Sequence, residues 1–185
     1  MNNIIIISAP SGSGKTTIVK HMLRLIPQLE FSTSATTRDK RTTEVSGQDY
    51  YFLSIEDFKS KIKSGDFIEY QEVYTDQFYG TLKSEVDRIH SQNKIVILDM
   101  DVIGGAKLAK QFKKNSISIF IKPPSIEELK KRLMNRATET QASLQKRIDK
   151  SVLEMEYADQ FDFVVINDNL KTAIDATEHI IRKNL

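Results

Sequence analysis

The chain contains no cysteine among its 185 residues. Disulfides and thiolate metal sites are therefore excluded, and this usage fits a reducing compartment. It also lacks an excess of either charge: 27 Lys and Arg against 25 Asp and Glu leave a net charge of +2. A bulk nucleic-acid binder is expected to be far more basic, so no nucleic-acid partner is anticipated. No window approaches the ~18 apolar residues of a membrane span. The N-terminal residues lack the basic segment and long apolar stretch of a secretory signal. A cytoplasmic protein with no membrane partner is the expectation. The three histidines, His21, His90 and His179, are scattered and match no metal-ligand spacing. Repeats and low-complexity segments are missing too. What is present is ordinary for a globular chain: 39% hydrophobic and 28% charged residues, and enough length for one domain with a real core.

Four apolar runs read as strands: Ile4–Ser8, Ile95–Asp99, Ile117–Ile121 and Phe163–Ile166. They are short, β-branched and nearly continuous, as strands covered on both faces should be. Helical patterns lie between and after them. Lys15–Ile26 carries Ile18, Val19, Met22 and Ile26 on one face, and Leu170–Arg182 carries Leu170, Ala173, Ile174, Ile180 and Ile181 on one stripe. Ser125–Asn135 opens with Ser125 as N-cap and Glu128 three residues on, a capping-box spacing. This alternation argues for an α/β domain with a mainly parallel sheet. Phe31–Tyr79 breaks the rhythm. Strand-like pieces FSTSATT, DYYFLS and FIEYQEVY, turn signals at Ser46-Gly47 and Ser64-Gly65, and a helix at Ile55–Lys63 read as a small mixed β insertion. Arg132–Arg147, rich in arginine and polar residues, reads as irregular.

The first strand runs into SAPSGSGKTT. Gly14, Lys15 and Thr16 fit the phosphate-cradle pattern G-x-x-x-x-G-K-[ST], while Ala9 stands in place of the first glycine. Strand before and helix after are the context that pattern requires. Backbone N–H groups of such a loop form an anion nest, and the following helix adds roughly half a positive charge at its N-terminus. Gly12 and Gly14 permit positive φ and close approach. Lys15 supplies a full charge, and the Thr16 hydroxyl is an oxygen ligand for Mg²⁺. Alanine at position 9 matters only if that position needs positive φ or no Cβ. The stretch Ala9, Pro10, Ser11, Gly12, Ser13, Gly14, Lys15, Thr16, Thr17 is thus a candidate site for a nucleoside triphosphate. Within the insertion, Arg38 and Arg41 lie three apart beside Ser34 and Thr36. Two nearby guanidinium groups repel each other, and a phosphate relieves that repulsion. Tyr50, Tyr79 and Thr81 add hydroxyl groups.

The segments SAPSGSGKTT, STSATTR, GQDYYF, FIEY, FYGT, ILDMD, IFIKPPS, KKRLMNRAT and INDN occur in the order and spacing of guanylate kinases. The chain resembles that family from Ile4 to its last helix. The resemblance implies a P-loop NTPase-type parallel-sheet core with helices on both faces (1–31, 82–124 and 151–185), a GMP-binding insertion (32–81) and a helical lid (125–150). It implies phosphoryl transfer from ATP to GMP with Mg²⁺. By that resemblance Arg38, Arg41, Tyr50 and Tyr79 hold the GMP phosphate. Ser34, Glu69, Thr81 and Asp101 read the guanine. Lys15, Thr16 and the loop amides hold ATP phosphates and metal, with Asp99 reaching the metal through water. Arg132, Arg136 and Arg147 close from the lid, and Asn167 and Asp168 lie near the adenine.

Physical chemistry favours guanine on its own terms. A carboxylate such as Glu69 accepts from guanine N1–H and the 2-amino group together, whereas adenine offers neither donor. Unpaired buried polar groups can give discrimination of up to ~10⁴-fold. No residue of the set polices the 2′-hydroxyl, so dGMP is expected beside GMP. Two departures from the family pattern stand out: Lys40 and Thr42-Thr43 where Pro and Pro-Gly are common, and Ala137 where the lid often has glycine. Two alternatives remain. A kinase of another phosphorylated substrate, such as a ribose phosphate, would not need the base-reading set. A non-catalytic binding module of the same fold would not need Gly14-Lys15-Thr16.

Overall fold

The computed structural model describes residues 4–134 and 141–185. In chain order the elements begin with β1 (Ile4–Ser8), α1 (Lys15–Leu25), β2 (Leu29–Phe31), β3 (Ala35–Thr36), β4 (Tyr51–Phe52) and α2 (Ile55–Lys63). Then come β5 (Phe67–Tyr74), β6 (Gln77–Leu82), α3 (Lys83–Ser91), β7 (Ile95–Met100), α4 (Val102–Gln111) and β8 (Ser116–Lys122). The chain ends with α5 (Ile126–Met134), α6 (Gln141–Glu154), a 3-10 turn at Met155–Gln160, β9 (Phe163–Ile166) and α7 (Leu170–Asn184). Two sheets result, in the orders β2-β7-β1-β8-β9 and β4-β3-β6-β5. The chain divides into two units, one running through residue 29 and resuming at residue 97, the other spanning Glu30–Val96.

In the first unit β1 lies between β7 and β8. It pairs parallel with β8 from Ile4↔Ser116 to Ser8↔Phe120, and β8 pairs parallel with β9. Ile5, Ile6 and Ile7 are fully buried, each worth about 1.5–3 kcal/mol relative to exposure. That two-faced burial is why the run shows no polar alternation. α1 buries Ile18, Val19 and Met22. It stops at Ile26, which is extended because Pro27 follows and disfavours helical backbone before it. Arg182 Nη2 from α7 donates to the Leu25 carbonyl at 2.8 Å, satisfying one of the last orphan acceptors of α1. α4 follows β7 directly, and a Cβ on its Gly105 would collide with the Ser8 hydroxyl. Ser125 caps α5 as expected, accepting from Glu128 N at 3.1 Å. The Glu128 carboxylate turns instead to Arg132 Nε at 2.9 Å, so only half of the capping box forms. The described residues of Arg132–Arg147 are helical and not irregular: α5 continues through Met134 and α6 starts at Gln141; residues 135–140 lie outside the described residues. Leu129, Leu133 and Ile148 bury one another between these two helices, a contact visible only in three dimensions.

In the second unit the sheet is mixed, with β3–β4 parallel and β3–β6 and β5–β6 antiparallel. Asp76, at φ 59°, makes the tight turn between β5 and β6, a conformation that Asp tolerates better than most residues. Phe58 of α2 is fully buried and stacks on Phe67 and Phe78, at 4.3 and 5.3 Å between ring centres. Ser54 caps α2, accepting from Asp57 N at 3.0 Å. No separate strand was expected at Gln77–Leu82, yet β6 is the strand that joins β3 to β5.

Candidate active site

The phosphate loop belongs to the first unit. Gly12 and Gly14 have φ 88° and 86°, the left-handed region that glycine enters at little cost. Ser13 N donates to the Pro10 carbonyl at 3.2 Å, closing the turn. Ala9 is not among the residues with positive φ and is buried, so the alanine meets the condition under which it is tolerated. Gly14 is also the α1 N-cap, without a side-chain cap. Thr17 N–H turns back to the Gly14 carbonyl at 3.1 Å, while the N–H groups that open a helix lack i−4 acceptors and suit an anion.

Several side chains hold this loop from outside. Asn167, after β9, donates its amide Nδ2 to the Ser13 carbonyl at 2.7 Å and is nearly buried. A Cβ on Gly14 would run into that same amide. Arg132 donates to the carbonyls of Asn167 and Asp168 at 2.9 and 3.4 Å. Arg147 Nη2 donates to the Ser11 hydroxyl at 2.6 Å. Gly12, Gly14, Thr17, Arg132, Asn167, Asp168 and Leu170 line a cavity of about 280 Å³. Lys15 pairs with Asp99 and donates to the Met100 carbonyl at 2.6 Å. Asp101 accepts from Gly104 N at 2.8 Å and caps α4. Arg136 lies outside the described residues.

The expected acceptor residues, Asp101 apart, belong to the second unit. Glu69 and Thr81 are paired across β5 and β6, and the Thr81 hydroxyl donates to the carboxylate at 2.9 Å. Directly opposed residues share a sheet face, so the register itself brings them together. Between them the backbone is close: a Cβ on Gly80 would meet the Glu69 carbonyl at 2.8 Å. The Ser34 carbonyl accepts from Tyr51 N at 2.9 Å. Arg38 stacks over the Tyr50 ring at 5.1 Å, and Tyr50 meets Tyr79 edge-on at 6.0 Å. Burial pushes the Tyr50 phenol above its ordinary value, against the pull of Arg38. Arg38 and Arg41 share a cavity of about 450 Å³ with Thr37, Asp39, Ile55 and Gln77.

The model of the guanylate kinase family matches residues 1–184. The chain belongs to the guanylate kinase family. A guanylate kinase of Salinibacter ruber is 47% identical over 183 residues, covering 99% of this chain and 97% of its own. One from Porphyromonas gingivalis is 47% identical over 177 residues, covering 95% and 94%. The crystal structure of guanylate kinase from Anaplasma phagocytophilum superposes with a TM-score of 0.74 at 27% identity, covering 99% of this chain and 86% of that one. The α/β core with parallel strands and the mixed four-stranded sheet fit this family's architecture.

Three carboxylates at the two sites were not singled out by the sequence. Glu44 forms a two-pronged pair with Arg38, at 2.6 and 2.8 Å. That guanidinium, with Arg41 N–H, lowers its carboxyl to about 2. Glu85 is buried and accepts from Thr33 N at 3.1 Å and Tyr51 Oη at 2.9 Å, beside Arg88. Burial pushes its carboxyl up, and these donors more than offset it. Glu154, at the end of α6, lies beside Ser11 N–H, and burial raises its carboxyl above the usual range. The sequence signal was present only for Glu44, a carboxylate three residues beyond Arg41 and six beyond Arg38. Glu85 and Glu154 are distant in sequence from the residues they meet.

Proposed function

We propose that this chain transfers the γ-phosphoryl group of ATP to the phosphate of GMP, giving ADP and GDP, and accepts dGMP as well. The observation that carries the reading is the Glu69–Thr81 pair, set in the same unit as the Arg38–Tyr50–Tyr79 cluster. One group offers acceptors to a purine edge; the other offers positive charge and hydroxyls to a phosphate. A sugar phosphate kinase would have no use for the first group. A non-catalytic module would have no use for the anion-binding loop with its lysine.

The residue roles are those the family resemblance implies, and chemistry supports them. The acceptor phosphate is largely ionised near neutral pH, so no general base is required. The obstacle is repulsion between two polyanions. The loop amides and Lys15 take the donor phosphates, for which Lys15 must leave Asp99. Thr16 and Asp99 supply the hard oxygen donors that suit Mg²⁺. Among the described residues no cluster of three or more His, Cys, Asp or Glu is present, in keeping with a metal held largely by phosphates and water. Thr16, and Asp99 through water, would hold Mg²⁺, which would supply positive charge against the phosphates. Arg38, Arg41, Tyr50 and Tyr79 orient the acceptor phosphate, while Ser34, Glu69, Thr81 and Asp101 select guanine. Arg132, Arg147 and Arg136 neutralise the moving group, as positioned arginines do at about 10³–10⁵ in rate. Asn167 and Asp168 border the nucleoside of ATP. No helix among the described residues is long and apolar enough to cross a membrane, and a cytoplasmic location is part of this reading.

The test is the acceptor profile of the purified protein with ATP and Mg²⁺. GMP is expected to turn over, with AMP and ribose phosphates poor. Turnover of a sugar phosphate without GMP would overturn the reading.

A further inference from the structure

Residues 38–45 read RDKRTTEV and contain neither proline nor glycine. Nothing in the backbone chemistry of this segment presets its shape, yet two arginines on it must meet one phosphate. Glu44 is the residue on which the segment converges. Its carboxylate accepts from Arg38 Nη2 at 2.6 Å, from Arg38 Nη1 at 2.8 Å and from Arg41 N at 2.8 Å. Its own N–H donates to the Arg41 carbonyl at 3.1 Å, and Lys40 Nζ donates to its carbonyl at 3.1 Å. Arg38 Nη1 also donates to the Asp39 carbonyl at 2.8 Å. These bonds use both N–H groups of Nη1 and one of Nη2. Nε–H and the second N–H of Nη2 remain, and the guanidinium sits over Tyr50, whose ring meets Tyr79 edge-on, both expected phosphate holders.

We propose that Glu44 is the positioning residue of the acceptor-phosphate site: it fixes Arg38 by one edge so that the other edge, beside Tyr50 and Tyr79, faces the monophosphate. The inference rests on the reading of this unit as the GMP site. Glu44 does the work that proline would do in a stiffer loop, but through the side chain whose direction matters. A bidentate carboxylate holds both the angle and the rotamer of an arginine. The competing possibility is that Glu44 stands in for the phosphate and must be displaced. The two predict opposite signs, because removing a positioning group weakens GMP binding and removing a rival anion strengthens it.

The experiment is steady-state kinetics on the full chain with Glu44→Ala and Glu44→Gln, GMP and ATP being varied in turn. Glu44→Ala should raise the GMP KM about tenfold or more, the loss of charge-assisted hydrogen bonds. Glu44→Gln, which keeps the shape and one acceptor, should raise it less. The ATP KM and kcat should stay near wild type in both. A merely structural role would lower kcat and raise both KM values together, with no partial rescue by glutamine, and would overturn the proposal. An unchanged or lowered GMP KM in either variant would also overturn it, the lowered value identifying Glu44 as a rival anion. If Glu44→Ala fails to fold, the GMP KM of Glu44→Gln decides alone. Failure of the wild type to use GMP would instead sink the proposed function.

Discussion

In the unit that carries the phosphate loop, the loop's shape is kept mostly by neutral contacts. Asn167 holds the Ser13 carbonyl, Ser13 N closes on Pro10, and two glycines supply the positive φ. In the unit that carries the expected acceptor residues, ion pairs dominate. Arg38 is gripped by Glu44, Arg88 pairs with Glu30 and Glu85, and Lys94 pairs with Glu30. The difference follows from what each site offers its ligand. A loop that binds anions through N–H groups is best held by its carbonyls, as Asn167 holds Ser13, so that donors not used to close the turn stay unspent. A site that binds through arginine side chains must direct those side chains beforehand, and a carboxylate does that best.

The first unit has ion pairs as well, Arg132–Glu128 among them, and on the loop itself Lys15 pairs with Asp99. Lys15→Ala is therefore the variant expected to do most: kcat should fall by at least about 10²–10³-fold, the usual loss for one transition-state donor. Its melting temperature should stay near that of the wild type. Turnover within a few fold of wild type would show that the backbone nest suffices and that lysine is ornamental. A smaller and more selective effect is expected from Glu69→Ala. The GMP KM should rise about 10–100-fold, since buried Thr81 loses its acceptor and guanine loses its own, at about 1–3 kcal/mol. The ATP KM should not move. An equal rise for both substrates would erase the contrast between the units.

The smallest effect concerns Glu154, a carboxylate at the end of α6 beside Ser11 of the phosphate loop. Burial, with help from nearby Asp101, raises its carboxyl above 4.5. A proton held more tightly in the folded than the unfolded state favours folding at low pH. That contribution is lost as pH rises through the raised value. Glu154→Gln removes this loss. Relative to the wild type, the variant should gain stability between pH 4 and pH 7, read as the difference in melting temperature at the two pH values. A difference that shrinks over that interval would mean that Ser11 N–H and Lys150 outweigh burial.

The sequence made the strands of the larger sheet's interior legible because uninterrupted β-branched runs have few alternative explanations. β1, β7, β8 and β9 fall within a residue or so of the expected bounds. α4 was harder to see. Gly104-Gly105 reads as a helix breaker, and only the approach of Ser8 explains why glycine is needed there. β6 was obscured by Gly80, whose missing side chain makes room for the Glu69 carbonyl. At the sites, residues carrying charge inside short motifs could be named in advance, Lys15 and Arg38 among them. The contacts that steady them could not: Asn167 was named beside the adenine and not as the anchor of Ser13, 154 positions away, and Glu85, which meets Thr33 across 52, was not named. Periodicity says nothing about such pairs.

The alanine at position 9 has a practical consequence. A text filter that insists on glycine there would discard this chain, although its main chain takes no special turn at that point. The torsion angles impose their demand two steps further in, at Gly12 and Gly14, and a filter written on those angles would be both looser at the start and stricter at the end.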